Sequence, residues 1–183
     1  MKRLFVSVPV SEKIKEKIAL LIDELKKTGA DFNFVSLENL HFTVKFLGDV
    51  EESKLEEIKN KLRAALTDFK KFKIELKEVG VFPSLERITV IWIGVEGNEF
   101  VSLIKKVVLS LDYIRKEEHE NIIPHLTIAR VKSGRNKDQL QESLKTFKEE
   151  VYGTMEIKEI DLCESKLTSK GPVYTVLEKF SIF

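Results

Sequence analysis

Two segments of the chain repeat one short pattern, and this repetition constrains the fold more than any other feature. Residues 41–48 read HFTVKFLG and residues 125–130 read HLTIAR, which places His41 and His125 in matching frames 84 positions apart. In each copy the strand pattern gives way to a glycine, Gly48 or Gly134, and then to an amphipathic helical pattern. Because 84 residues far exceed the length of a solenoid repeat, the pattern predicts a duplicated strand–turn–helix unit. Two copies related by a rough two-fold axis would face each other across a cleft.

The rest of the chain alternates between helical and strand patterns. Apolar residues at helical spacing predict helices over 11–27, 53–66, 98–114 and 136–147, with Ser11 and Asn98 as N-caps and Gly29 ending the first helix. Alternating apolar residues predict strands over 3–10, 37–48, 72–82, 86–95 and 121–131, then a final pair, 153–167 and 172–183, around the turn at 168–172. We therefore expect one domain, residues 1–183, of two pseudo-symmetric lobes with motif strands at 39–48 and 123–131.

Side chains alternate between the two faces of a strand, and this predicts which residues of the first motif face the cleft. His41 and Thr43 share one face, and Lys45 lies on the same face, where it could steady a phosphate. A solvated strand end would place Lys45 there equally well. The opposite face, expected to pack against helices, carries Phe42, Val44 and Phe46.

The second motif repeats this arrangement. His125 and Thr127 are predicted to face the cleft, and Leu126 and Ile128 to face the core. Strict alternation turns Arg130 away from the cleft, unless a β-bulge re-aims it. If the halves pack face to face, two imidazoles and two threonine hydroxyls meet at one place.

That combination suits phosphoryl transfer at a diester. Imidazole exchanges protons near neutral pH, so one neutral histidine can act as base while a protonated one acts as acid. Threonine hydroxyls can donate hydrogen bonds to the non-bridging oxygens, where negative charge develops. Such a reaction needs no metal, because the acid neutralises the leaving alkoxide directly. Two half-buried structural histidines on duplicated strands are the alternative interpretation of the pair.

Composition excludes several other classes. A net charge of +1 gives no basic excess for binding a nucleic-acid duplex. The single cysteine, Cys163, rules out a disulfide within the chain and predicts a reducing, cytoplasmic setting. No apolar run approaches the roughly 18 residues of a membrane span. With 25 Lys, 23 Glu and 2 Gln, the chain resembles the pattern of hyperthermophile proteins, although charged helix faces of an ordinary protein give a similar composition.

The paired motifs NLHFTVKFLG and PHLTIAR resemble the signatures of the two-histidine (2H) phosphoesterase superfamily. Within it the chain is most similar to the RNA 2′,3′-cyclic phosphodiesterases, also called 2′-5′ RNA ligases, over nearly its whole length. The resemblance begins at RLFVSVPV, continues through VGVFPS and RITVIWIGV, and ends at ESKLTSKGPVYTVL.

The resemblance implies a bilobal α+β fold, with antiparallel sheets lining a central cleft and helices on the outside. It also implies metal-free hydrolysis of a 2′,3′-cyclic phosphate at an RNA 3′ end or in a cyclic nucleotide, without a cofactor. His41 would be the proton donor, His125 the proton acceptor, and Thr43 and Thr127 phosphate ligands. The 3′-oxygen would leave, giving a 2′-phosphate, and a role for Arg130 near the substrate becomes possible. We expect a monomer.

Two alternatives stay open on the sequence. The reverse reaction, 2′-5′ joining of RNA ends, uses the same residues. A binding module for RNA ends or nucleotides could retain the cleft without turnover, although binding alone does not need two proton carriers.

The remaining candidates have simpler interpretations. His119, in a charged stretch, is expected at the surface, and one cysteine with three histidines in these positions does not supply the three or four ligands of a zinc site. Phe82 and Tyr113 could stack on a terminal base, but a core role is favoured for both. Cys163 is expected to be a small buried apolar residue, and Gly171 and Pro172 to form only a hairpin turn.

Overall fold

The computed structural model describes residues 1–116, 122–169 and 171–183, and within them the chain forms strands and helices in a mixed order. The strands are β1 (Lys2–Pro9), β2 (Phe32–Phe34), β3 (His41–Val50), β4 (Phe72–Ser84), β5 (Arg87–Glu96), β6 (His125–Val131), β7 (Val151–Ile157), β8 (Glu159–Thr168) and β9 (Gly171–Ser181). The helices are α1 (Glu12–Lys27), α2 (Leu55–Leu66), α3 (Asn98–Ser110) and α4 (Lys137–Thr146), with 3₁₀ turns at Leu37–Asn39 and Glu52–Lys54.

The strands form two antiparallel sheets, with the orders β3-β1-β8-β9 and β2-β6-β5-β4-β7. The motif strands β3 and β6 thus belong to different sheets, each beside a strand, β1 or β5, that precedes it along the chain. Each sheet then receives a strand from the other half, because β4 pairs with β5, and β8 pairs with β1. The two antiparallel sheets, together with the helices, confirm the predicted α+β class.

The helices cover the sheets because each has one apolar side. The α1 pattern is confirmed, with Ile14, Ile18, Leu21, Ile22 and Leu25 buried. Helix α1 packs against β7, α2 against α3 and β9, and α3 against β3. Ser11 is the N-cap of α1 through its backbone carbonyl, which accepts hydrogen bonds from the N–H groups of Ile14 and Lys15. Gly29 follows the helix at φ 67°, a left-handed conformation that glycine adopts without strain.

Several element boundaries differ from the sequence prediction. Residues 153–167, predicted as one strand, belong to two, because the chain leaves one sheet after Ile157 and enters the other at Glu159. The N-cap of α3 is Gly97 rather than Asn98. A short strand, β2, was not predicted, and the motif strands begin at His41 and His125, later than expected. Pairing of β8 with β9 around the predicted turn is confirmed.

Candidate active site

A cavity of about 540 Å³ receives side chains from both sheets. It brings together the four motif residues, His41 and Thr43 from β3 with His125 and Thr127 from β6. Its other lining residues are Arg3, Phe5, Asn33, Phe34, Val35, Ser36, Asn39, Phe46, Arg130, Ser165, Leu167, Gly171, Pro172 and Tyr174. Gly171 and Pro172 therefore do more than turn the chain, since both open β9 and line the cavity.

The His41 ring is held by its backbone and by aromatic neighbours. Its Nδ1 lies 2.7 Å from the carbonyl oxygen of Asn39, and because a carbonyl only accepts, Nδ1 carries a hydrogen. Nε2 lies 3.2 Å from the Thr43 hydroxyl. The rings of Phe5 and Tyr174 stand 5.0 and 5.3 Å from the imidazole, centroid to centroid. Burial lowers the pKa of His41, and the bond to Asn39 opposes this shift.

The His125 ring repeats this arrangement with different neighbours. Its Nδ1 lies 2.7 Å from the carbonyl oxygen of Ile123, again two residues earlier in the chain. Phe82 meets the ring edge-on at 5.1 Å, and Trp92 lies 6.1 Å away. Gly80 leaves the space that Trp92 occupies, since a Cβ there would stand 2.2 Å from the indole ring. In both motifs Nδ1 carries the hydrogen bonded to a carbonyl, so Nε2 is the nitrogen without a hydrogen in the neutral imidazole.

A β-bulge in each motif strand changes the alternation after the threonine. In β3 the pairing with β1 passes from Thr43 to Lys45 and omits Val44, and in β6 the pairing with β5 passes from Thr127 to Ala129 and omits Ile128. Two consecutive residues are then buried in each strand. The bulges occupy equivalent positions, 84 residues apart.

The bulges correct three predictions. Lys45, expected on the His41 face, is fully buried on the opposite side, where its Nζ lies 3.4 Å from an Asp112 carboxylate oxygen. Phe46, expected in the core, lines the cavity instead. Arg130 is exposed and lines the cavity, as the bulge considered for it would require. The consecutive apolar pair Ile128-Ala129, which interrupts the alternation before Arg130, was the sequence signal for this bulge.

The cavity is electropositive. Arg3 and Arg130 line it, and among the described residues no carboxylate does. Burial raises the pKa of the Tyr174 phenol, against an opposing effect of Arg130, so the hydroxyl stays protonated at neutral pH and can donate a hydrogen bond. The lining therefore suits an anion that accepts several hydrogen bonds.

The other predicted candidates lie elsewhere. Phe82 is half-buried against His125 and does not line the cavity, and Tyr113 is 45% exposed beside Lys61. Cys163 is buried, as predicted, 3.5 Å from the Ser7 hydroxyl. His119 lies outside the described residues.

Most of the residues around the histidines were not predicted from the sequence. Arg3, Phe5, Asn33, Ser165 and Tyr174 line the cavity with them, and Trp92 lies beside His125. These residues belong to other strands, so their placement depends on strand pairing, which no local pattern carries. Asn39 was also missed, although it is a local neighbour whose carbonyl binds His41 two residues later. Within the parts of the chain that are described, no three metal-ligating side chains cluster, and no helix is long and apolar enough to cross a membrane.

Comparisons with known proteins identify the relatives of this chain. The family model of LigT-like phosphoesterases matches residues 8–92 and 97–174. The chain is 37% identical over 182 residues to the RNA 2′,3′-cyclic phosphodiesterase of Methanothermobacter thermautotrophicus, covering 98% of both chains. It is 39% identical over 178 residues to the enzyme of that name from Methanocaldococcus jannaschii, covering 97% and 99%.

Solved structures share the fold. A Thermus thermophilus protein matches with a TM-score of 0.82 at 25% identity, over 98% of this chain and 97% of that one. Escherichia coli LigT, crystallised with 3′-AMP, matches with a TM-score of 0.74 at 21% identity, over 99% and 97%. The match to the family model covers most of the chain, and the chain belongs to the LigT-like phosphoesterase family.

Proposed function

We propose that the chain is an RNA 2′,3′-cyclic phosphodiesterase that hydrolyses the cyclic phosphate at an RNA 3′ end without a metal. The observation that carries the proposal is the matched pair of imidazoles in one electropositive cavity, each held through Nδ1 by the carbonyl two residues earlier. The name of the archaeal relatives supports the same substrate.

In the proposed reaction, water attacks phosphorus in line with the departing oxygen. Nε2 of His125 takes the proton of the water, and Nε2 of His41 gives a proton to the ribose 3′-oxygen as the P–O bond breaks. The product is a 2′-phosphate. Proton transfer to the leaving oxygen removes the need for a cation there.

The protonation state of His41 depends on the substrate. In the free protein, burial lowers the pKa of His41 and favours its neutral form. A bound phosphodiester anion stabilises the imidazolium and so raises this pKa. The acid is thus charged chiefly when the substrate is bound.

The other cavity residues bind the charge that develops on phosphorus. The hydroxyls of Thr43 and Thr127 donate hydrogen bonds to the two non-bridging oxygens. Arg130, turned toward the cavity by the β6 bulge, adds a permanent positive charge. The position of all three side chains, which line the same cavity as the imidazoles, supports these roles.

The setting of the enzyme is part of the proposal. A single buried thiol suits a reducing cytoplasm, where we expect a monomer that acts on RNA ends. Size-exclusion chromatography with light scattering tests the monomer.

The test is incubation with a cyclic-phosphate-ended oligonucleotide and with adenosine 2′,3′-cyclic phosphate, with and without EDTA. We expect hydrolysis at the same rate in both conditions and a 2′-AMP product, separated from 3′-AMP by chromatography. A strict requirement for divalent metal would overturn the metal-free mechanism. A predominant 3′-AMP product would exchange the roles of the two histidines, and joined RNA ends with no hydrolysis would favour the reverse reaction.

A further inference from the structure

The two bulges present different side chains at equivalent positions. The bulge in β3 turns Phe46 into the cavity, and the bulge in β6, 84 residues later, turns Arg130 into it. The two halves of the cavity therefore carry the same residue types at the histidines and threonines. They differ at the next cavity-facing position of each strand, which is Phe46 in β3 and Arg130 in β6. A substrate that reaches beyond the histidines meets an aromatic ring on one side and a cation on the other.

Two arginines hold the Phe46 ring. The guanidinium carbon of Arg3, from β1, lies 4.9 Å from the ring centroid, and that of Arg115, after α3, lies 5.3 Å from it. Gly48 provides room for this arrangement, because a Cβ there would stand 3.3 Å from an Arg115 guanidinium nitrogen. We call Arg3, Phe46 and Arg115 the arginine–phenylalanine cluster.

The guanidinium groups of the cluster have no carboxylate partner within salt-bridge distance among the described residues. The nearby carboxylates of Glu52 and Glu164 bind Lys2 instead. The chain contains only six arginines against 25 lysines, and the cluster holds two of them. Arginine differs from lysine in binding phosphate with two parallel hydrogen bonds while stacking on a ring.

The cluster continues the cavity away from the histidines. Phe5 stands 5.0 Å from the His41 ring and pairs with Phe46 across the sheet, and Arg3 lies two residues before Phe5 on the same face of β1. Ser7, the partner of Thr43, is four residues from Arg3, which is about 13 Å along a strand. A cyclic phosphate bound at the histidines does not reach that far, whereas an RNA chain attached to it does.

We propose that the arginine–phenylalanine cluster binds a backbone phosphate of the RNA upstream of the cyclic end, so that the preferred substrate is an oligonucleotide rather than a free cyclic nucleotide. The proposal rests on the proposed function in placing the terminal phosphate at His41 and His125. It also supplies the asymmetry that sets the direction in which the RNA lies across a nearly two-fold cavity.

Binding of 3′-phosphorylated oligoadenylates of one to four nucleotides tests the subsite without needing turnover. By calorimetry, the wild-type chain should bind the tetranucleotide at least tenfold more tightly than the mononucleotide. The Arg3→Gln/Arg115→Gln variant should lose most of this gain. For this variant, the slope of log K against the logarithm of the salt concentration should become shallower by about 0.7 for each phosphate contact removed.

The matched control is Lys13→Gln/Lys17→Gln, which removes the same charge from the exposed side of α1 and should keep the gain with length. The single variants Arg115→Gln and Arg3→Lys guard against a folding defect, and circular dichroism checks each chain. Equal losses for mononucleotide and tetranucleotide, or no gain with length in the wild type, would overturn the subsite. Length-dependent binding without hydrolysis of any cyclic phosphate would instead retain the subsite and reject the proposed function.

Discussion

At each motif histidine, one ring nitrogen binds a backbone carbonyl, and the other is the nitrogen to which we assign proton transfer. The identical 2.7 Å bonds from Nδ1 of His41 and His125 fix the same tautomer and restrict the rotation of both rings. The two residues differ in their aromatic neighbours, Tyr174 beside His41 and Trp92 beside His125. Sequence alone predicted the histidines from their repeated frame, but Tyr174 reaches His41 only through strand pairing and carried no local signal.

Replacing either histidine by alanine should lower kcat by about 10²-fold or more, because each variant loses a group to which we assign proton transfer. The fold should persist, since both imidazoles line a cavity rather than the core. Initial rates on adenosine 2′,3′-cyclic phosphate, together with thermal midpoints, measure the two effects separately. Near-wild-type turnover in either variant contradicts the paired acid–base assignment.

The pKa of His41 should rise when an anion binds. Burial lowers this pKa in the free protein, and a bound dianion favours the imidazolium, so binding takes up a proton between the two pKa values. Sulfate affinity should therefore increase as the pH falls through this window, in which sulfate itself does not titrate. Ring NMR titration with and without sulfate follows the change, and His41→Ala assigns the resonance. An unchanged pKa would mean that the anion does not bind beside His41.

At the scale of single elements, the bulges decide which side chains reach the cavity. Alternation correctly placed His41, Thr43, His125 and Thr127, all of which precede the bulges. It failed for Lys45 and Phe46 because an extra residue in a strand reverses the faces of those that follow. The bulge in β3 has no signal in the sequence, because its bulged residue is Val44 rather than a glycine. In β6 the apolar pair Ile128-Ala129 interrupts the alternation and indicates the bulge.

The bulges predict opposite outcomes for two cations. Arg130→Met should lower kcat/KM by about tenfold or more, because a charge that lines the cavity is lost. Lys45→Met should leave kcat/KM within about twofold, because the lysine is buried against Asp112. The free energy of unfolding of Lys45→Met should be unchanged or increased, because methionine fills the buried site and the Asp112 carboxylate left behind is 37% exposed and stays solvated. Steady-state kinetics measure kcat/KM, and urea unfolding measures stability. A large loss of kcat/KM in Lys45→Met would indicate that Lys45 contacts the substrate.

Over the whole molecule, the two halves of the duplication visible in the sequence exchange strands. The first half supplies β4 to the sheet of β5 and β6, and the second half supplies β8 and β9 to the sheet of β1 and β3. The 84-residue period predicted the equivalent motif strands. It did not predict the exchange of the later strands, because their pairing partners are distant in sequence. For that reason residues 153–167 were predicted as one strand although they serve both sheets.

This exchange predicts that the chain unfolds in a single transition, because both sheets lose strands when either half of the chain unfolds. Trp92, the only tryptophan, reports on one sheet, and far-ultraviolet circular dichroism reports on both. Urea transitions measured by the two probes should coincide, with equal midpoints and equal slopes. A fragment ending at Leu85, which keeps β1 and β3 but lacks β8 and β9, should not fold alone. Separate midpoints, or a cooperative transition in the fragment, would show that the halves are independent domains and that the cleft joins two bodies able to move against each other.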